Sequence, residues 1–228
     1  MDLLSGALLV GSMYTAFEVI DRLDLGEVVA SKFRRKDDYC LTLGYIRICG
    51  MRVPITANMK ITPHLLVCGL SGQGKSKCIE YTIKNKDSIL LNAFEEDFRS
   101  VKCRRVFGNE NILRYLTRLL EDPYKRKTPV YVVIDELLVL SNDKKISKAI
   151  MDLLAVGRHY NIFVIGISQR GTKQDLSYKD LFNARATFRQ VDPSSYAAVL
   201  GCNIDETLTK REFLLYSDDV YKGRTYDV

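Results

Sequence analysis

The stretch PHLLVCGLSGQGKS, residues 63–76, decides the architecture. Leu65 to Cys68 is a short apolar run of strand length, and the helical pattern that follows opens at Lys75. Between them Gly69, Leu70, Ser71, Gly72, Gln73, Gly74, Lys75 and Ser76 match G-x-x-x-x-G-K-[ST] in register, in the strand–loop–helix setting that this motif needs. Glycines let successive backbone N–H groups turn inward around a phosphate, and the helix N-terminus adds its partial positive charge. Lys75 then reaches the β and γ phosphates of ATP, and the Ser76 hydroxyl reaches Mg²⁺. The expected nucleotide-binding segment is Gly69 to Lys77. A plain glycine–serine turn does not explain why a lysine and a serine open the helix.

A magnesium–phosphate site needs a carboxylate opposite the loop. VYVVIDE, residues 130–136, supplies Asp135 and Glu136 at the end of an apolar strand. Asp135 is expected to hold the metal through its water shell, and Glu136 to act as general base on the attacking water, which favours hydrolysis over phosphoryl transfer to a small molecule. The competing reading of an Asp–Glu pair after a strand is a helix N-cap. Gln169 closes a later strand, NIFVIGIS, and is placed to bond the γ-phosphate or the water.

Working outward, the pattern after Pro63 alternates short apolar strands with amphipathic helices, the signature of a mostly parallel sheet covered on both faces. Strands are expected at 65–68, 88–91, 130–135 and 161–168, with another in RATFRQ (185–190). The first helix is expected over 75–84, and helical stripes run through Ile112 to Leu120 and Ile146 to Leu154, the latter closed by Gly157 as a left-handed cap. Asp192-Pro193 opens a short helix ending at Gly201. Residues 27–56 read as β-rich, with two strands joined near Gly50.

The 228 residues, 46% hydrophobic and 27% charged, exclude the disordered and multi-span membrane classes and suit one domain with a short N-terminal appendage. A net charge of +6 is clustered at 32–36, 102–105 and 125–127, a pattern open to phosphate backbones, anionic lipid or plain solvated loops. Six cysteines without a C-x-x-C pair read as free thiols in a reducing compartment, and two histidines make a zinc site a poor reading. Leu3 to Phe17 is an uncharged run of fifteen residues, shorter than the roughly 20 a spanning helix needs. It fits a helix packed on the domain or on a neighbour, or shallow membrane attachment.

PHLLVCGLSGQGKS, TPVYVVIDELLVL and GRHYNIFVIGISQR resemble, in order and spacing, the motor domain of the FtsK/HerA superfamily of DNA-pumping ATPases. Pro63-His64 and Gln169-Arg170 carry more of the likeness than the phosphate loop, and it extends over roughly residues 61–218, with KREFLLYSDD similar to the family's closing strand. The resemblance implies a RecA-like, doubly wound P-loop sheet over 57–228, with residues 1–56 forming an N-terminal helix and a short β-rich region. It implies a homo-oligomeric ring, usually a hexamer, with ATP between subunits, double-stranded DNA through the centre, and an arginine supplied in trans. Arg158 stands at the matching position, with Arg185 and Arg189 in reserve. Lys102, Arg104, Arg105 and the Arg170–Lys173 segment are the expected sequence-independent DNA contacts. The loop carries Ser-Gly-Gln-Gly where the family has Thr-Gly-Ser-Gly, Gly171 replaces a common proline, and NAFEEDFRS lacks the usual Asp-Pro-Lys. Length favours packaging of a viral genome, in the cytoplasm or on the virion, with residues 1–20 meeting a capsid vertex or membrane partner. Conjugative DNA transfer, an export ATPase and a non-motor nucleotide switch stay open.

Overall fold

The computed structural model describes residues 38–227 apart from 95, 122, 123, 125, 172–175, 203 and 205. The expected N-terminal helix, the run 3–17 and the basic cluster 32–36 lie outside these residues, as do Thr172 and Lys173.

The chain begins with a hairpin, β1 (Cys40–Ile48) and β2 (Met51–Asn58), turning at Cys49 and Gly50. Both turn residues have positive φ, 50° and 80°, the requirement of a two-residue turn whose twist matches its strands. There follow β3 (Leu65–Cys68), α1 (Lys75–Ile83), β4 (Ser88–Leu91), β5 (Arg104–Val106) and α2 (Asn109–Glu121). After these come β6 (Val130–Ile134), α3 (Leu137–Ser141), α4 (Lys144–Val156), β7 (Ile162–Ser168) and β8 (Ala184–Phe188). The chain closes with α5 (Pro193–Leu200), β9 (Glu212–Tyr216) and β10 (Val220–Arg224).

All ten strands form one sheet in the order β2-β1-β10-β9-β8-β3-β7-β6-β4-β5. The six strands from β8 to β5 run parallel, as the alternation of strands and helices demands. β9, β10, β1 and β2 extend the sheet as an antiparallel wing, and β1 joins it through Tyr45 opposite Arg224.

The parallel strands are apolar throughout because both their faces are covered. In β3, Leu66 and Cys68 face the layer built by α2, α4 and α5, while Leu65 and Val67 face α1. β6 divides the same way, Val132 and Ile134 against Tyr131 and Val133. The β1–β2 hairpin packs on α1, and Thr82 of that helix donates to the Thr42 carbonyl at 2.8 Å. All six cysteines are free thiols, and among the described residues no helix is long and apolar enough to cross a membrane.

Two local expectations need revision. Gly157 does not end α4 in the left-handed region; its φ is −53° and the chain continues through a 3₁₀ turn, Gly157–Tyr160, to a left-handed Asn161 (φ 57°). The position is closed to a side chain for another reason, since a Cβ there would lie 2.8 Å from the Ile162 carbonyl oxygen. The first helix also stops at Ile83, one residue short of the expectation. Gly201 does terminate its helix in the left-handed region, at φ 84°.

His64, part of the Pro-His signature, serves the frame. It is 1% exposed at φ 65°, and its Nδ1 accepts the Val164 N–H of β7 at 3.0 Å, standing in for a backbone acceptor at the start of β3. Burial pushes its pKa down to about 4, against the opposing pull of the Leu154 backbone. The unfolded imidazole takes up its proton near 6.5, so between pH 6.5 and 4 this one side chain is protonated in the unfolded chain and neutral in the folded one. This contribution to stability is present above that window and is lost as pH falls through it. Urea unfolding at about pH 7.5 and about pH 4.5 should show wild type losing about 2–3 kcal/mol more than His64→Asn. Equal losses would contradict this role for His64.

Candidate active site

Because β3, β6, β7 and β8 are parallel, the residues following each emerge at one sheet edge. β7 lies between the loop strand β3 and β6, and Cys68 is level with Ser168 while Ile134 is level with Gly166. The phosphate loop, Gln169 and the Asp135–Glu136 pair therefore line up side by side at the carboxyl edge, where α/β sheets hold ligands.

The loop is held by its backbone. Leu70 N–H donates to the Arg189 carbonyl at 3.0 Å, and Arg211 N–H to the Gln73 carbonyl at 3.2 Å. Gly69 takes φ 145°, and a Cβ there would meet Phe188 Cβ at 2.7 Å, so conformation and space both require glycine. Gly74 is the N-cap of α1 and no side chain caps that terminus, leaving the helix N-terminus for an anion. Lys75 is 8% exposed and stretches back across the loop, its Nζ donating to the carbonyls of Gly69 (2.6 Å) and Leu70 (2.9 Å). Burial lowers its pKa, while Glu136, Cys68 and Asp135 pull the other way. Ser76 is half-buried in the first turn, and Lys77 turns outward to pair with Glu80 at 2.8 Å.

Opposite the loop, Asp135 is 4% exposed and its pKa is pushed up to about 6, first by burial and then by the carboxylates of Glu136 and Asp97. Glu136 occupies the left-handed region at φ 52°, a conformation that costs a non-glycine residue about 1–3 kcal/mol. It is the N-cap residue of α3 but makes no side-chain capping bond. Its carboxylate instead accepts from Gln169 Nε2 at 3.2 Å. Glu136 thus holds the cap position without its side chain capping the helix, Asp135 Oδ1 accepts the Glu136 N–H at 3.2 Å, and the Glu136 carboxylate is left to meet the Gln169 amide at the sheet edge.

The arginines separate into distinct settings. Arg158 is exposed on the 3₁₀ turn before β7, at the amino edge. Seven residues of β7 span about 20 Å between that edge and the loop of the same chain. Arg158 shares a cavity of about 320 Å³ there with Tyr39, Lys60 and Phe163. Arg185 is committed to the carbonyls of Phe182, Val199 and Leu200 and to Asp180. Arg189 is exposed beside the loop of its own chain. Of the expected DNA contacts, Lys102, Arg104 and Arg170 are exposed, but Arg105 donates to the carbonyls of Phe94, Asp97 and Phe98 and pins that loop. Sequence reasoning missed Asp97, which comes close enough to act on Asp135, and Arg211, which backs the phosphate loop. Neither stands in a motif.

A glycine loop between a parallel strand and a helix, with a strand-end Asp-Glu pair and an aligned glutamine across from it, defines a P-loop nucleoside triphosphatase. No protein-family profile matches the chain. It is 33% identical over 149 residues to DNA translocase FtsK of Staphylococcus aureus (strain Mu50 / ATCC 700699), a match covering 64% of this chain and 16% of that protein. Its fold superposes on the pCW3 conjugation coupling protein TcpA with a TM-score of 0.66 at 17% identity, covering 86% of this chain and 68% of that one. The genome packaging NTPase B204 from Sulfolobus turreted icosahedral virus 2 gives a TM-score of 0.53 at 16% identity, over 72% and 98% of the two chains. The chain belongs to the FtsK/HerA superfamily of P-loop ATPases.

Proposed function

We propose that this chain is the motor of a double-stranded DNA translocase that works as a ring, six subunits around the duplex, hydrolysing ATP with Mg²⁺ at subunit boundaries. The observation that carries the reading is the Gln169–Glu136 bond at the carboxyl edge. A strained, uncapped carboxylate aligned by an amide is the arrangement a water-activating base needs. A switch that merely binds nucleotide has no use for it.

In this scheme Lys75 leaves the loop carbonyls for the β and γ phosphates, Glu136 takes a proton from the attacking water, and Gln169 hydrogen-bonds the γ-phosphate. Ser76 and Asp135 would hold Mg²⁺, which supplies charge neutralisation at the phosphates. Asp135 suits a cation because burial first, and then the neighbouring carboxylates of Glu136 and Asp97, disfavour its charged form, and a bound ion would offset both.

Arg158 serves as the trans-acting arginine, because the strand length keeps it from its own loop. Mixing Arg158→Ala with Lys75→Ala subunits should restore part of the activity, since some boundaries then pair an intact loop with an intact arginine. No rescue at any ratio would remove Arg158 from the site.

DNA as the substrate is supported by the relatives' names as DNA translocases. For the particular DNA we favour a genome entering a viral capsid, supported by the extent of the match to the packaging NTPase, 98% of its chain. Conjugative transfer is the second reading, favoured by the higher TM-score with TcpA. A capsid gene beside this one would support packaging, and a relaxase gene transfer. The test of the motor reading is ATP turnover with and without double-stranded DNA: stimulation supports it, and a rate indifferent to DNA would leave the nucleotide switch.

A further inference from the structure

We infer that the groove between β5 and α2 binds a phosphodiester backbone, as a contact for the DNA of the proposed translocase. The inference rests on that reading and adds to it a surface apart from the ATP site. The groove encloses about 270 Å³ beside the last strand of the sheet, and Arg104, Arg105, Arg114 and Arg118 line it together with Asn111 and Tyr115. Among the described residues no acidic side chain lines it.

The four arginines divide the work. Arg105 holds the neighbouring loop through the carbonyls of Phe94, Asp97 and Phe98, which fixes the floor. The Arg104 guanidinium stacks on Tyr115, 5.1 Å from the ring centre, which orients it before any ligand arrives. Arg114 and Arg118 are exposed one turn apart on α2, and among the described residues neither has a carboxylate within salt-bridge distance. Like charges at that spacing weaken a helix by a few tenths of a kcal/mol, about what Arg118 gains from standing in the last turn of α2, so helix stability alone does not account for the pair. An anionic ligand does.

The chemistry favours a phosphate backbone over bases. Guanidinium forks match phosphate oxygens in bidentate geometry. The Tyr115 face is taken by Arg104, which leaves Phe107 as the other ring at the groove and no platform for a run of stacked bases. Binding should therefore ignore sequence and fall steeply with salt. The plain alternative is that these charges only guard an edge strand against pairing with another chain.

The test measures anisotropy of a labelled random-sequence duplex with the full chain across a salt series, comparing wild type with Arg114→Ala/Arg118→Ala. The variant should bind about tenfold or more weakly, with the salt slope reduced by about 1 for each arginine engaged. Arg114→Glu/Arg118→Glu should bind more weakly still, and an unchanged unfolding midpoint in both variants separates this from loss of fold. Unchanged affinity and slope would overturn the groove and leave the translocase reading standing. Failure of wild type to bind duplex at all would overturn both. Competition by polyglutamate as effective as by duplex at equal charge would overturn the phosphodiester assignment in favour of an acidic protein partner.

Discussion

Lys75→Ala should lower ATP turnover by about 10²–10³-fold while the protein stays folded. The loss follows from the chemistry: a phosphoryl group in transfer spreads charge over its oxygens, and Lys75 is the cation the loop carries to that place. The fold should survive because backbone bonds position the loop without the lysine. Leu70 to Arg189, Arg211 to Gln73 and Cys78 to Gly74 all remain in the variant. Lys75 is moreover buried enough to depress its pKa, so its removal relieves a desolvated charge in the nucleotide-free protein. Turnover and urea unfolding measured together check both halves. Turnover within about tenfold of wild type would remove Lys75 from the site, and a collapse of stability would show that the lysine holds the loop.

Glu136→Gln should cost about 10²–10⁴-fold in kcat and leave ATP affinity nearly unchanged. The amide keeps the size of the side chain and can still accept from Gln169 Nε2, but it cannot take a proton from water. Single-turnover measurement with labelled ATP should find bound nucleotide that persists as triphosphate. Unaltered turnover would reject Glu136 as the base and leave the bound-nucleotide switch as the better description. Parallel losses in binding and turnover would instead assign the residue to positioning the loop.

Much of this site was legible before the structure because it is local. The phosphate loop, Asp135 and Glu136 each sit within a few residues of a strand end, and a parallel sheet brings strand ends to a common edge whatever the details between them. The insertion of β7 between β3 and β6 is what sets Gln169 against Glu136, and no spacing along the chain encodes it. Gly157 misled for a related reason: glycine after a helical stripe usually signals a left-handed cap, but here a carbonyl from the next strand presses on that position. Arg105 looked like surface charge in a run of basic residues, yet it is bound by carbonyls eleven, eight and seven residues earlier, contacts that only the fold creates. The family resemblance named Pro63-His64 as a signature; the geometry adds its reason, a side-chain acceptor completing β7 at Val164.

ATP hydrolysis at this edge should move the chain along duplex DNA, and a triplex-displacement assay tests that directly, because a third strand bound at one end of a duplex is released only when a motor runs into it. The wild-type chain should release the third strand in an ATP-dependent manner, and Glu136→Gln should release none. Duplex binding and ATP turnover without any release of the third strand would contradict the translocase.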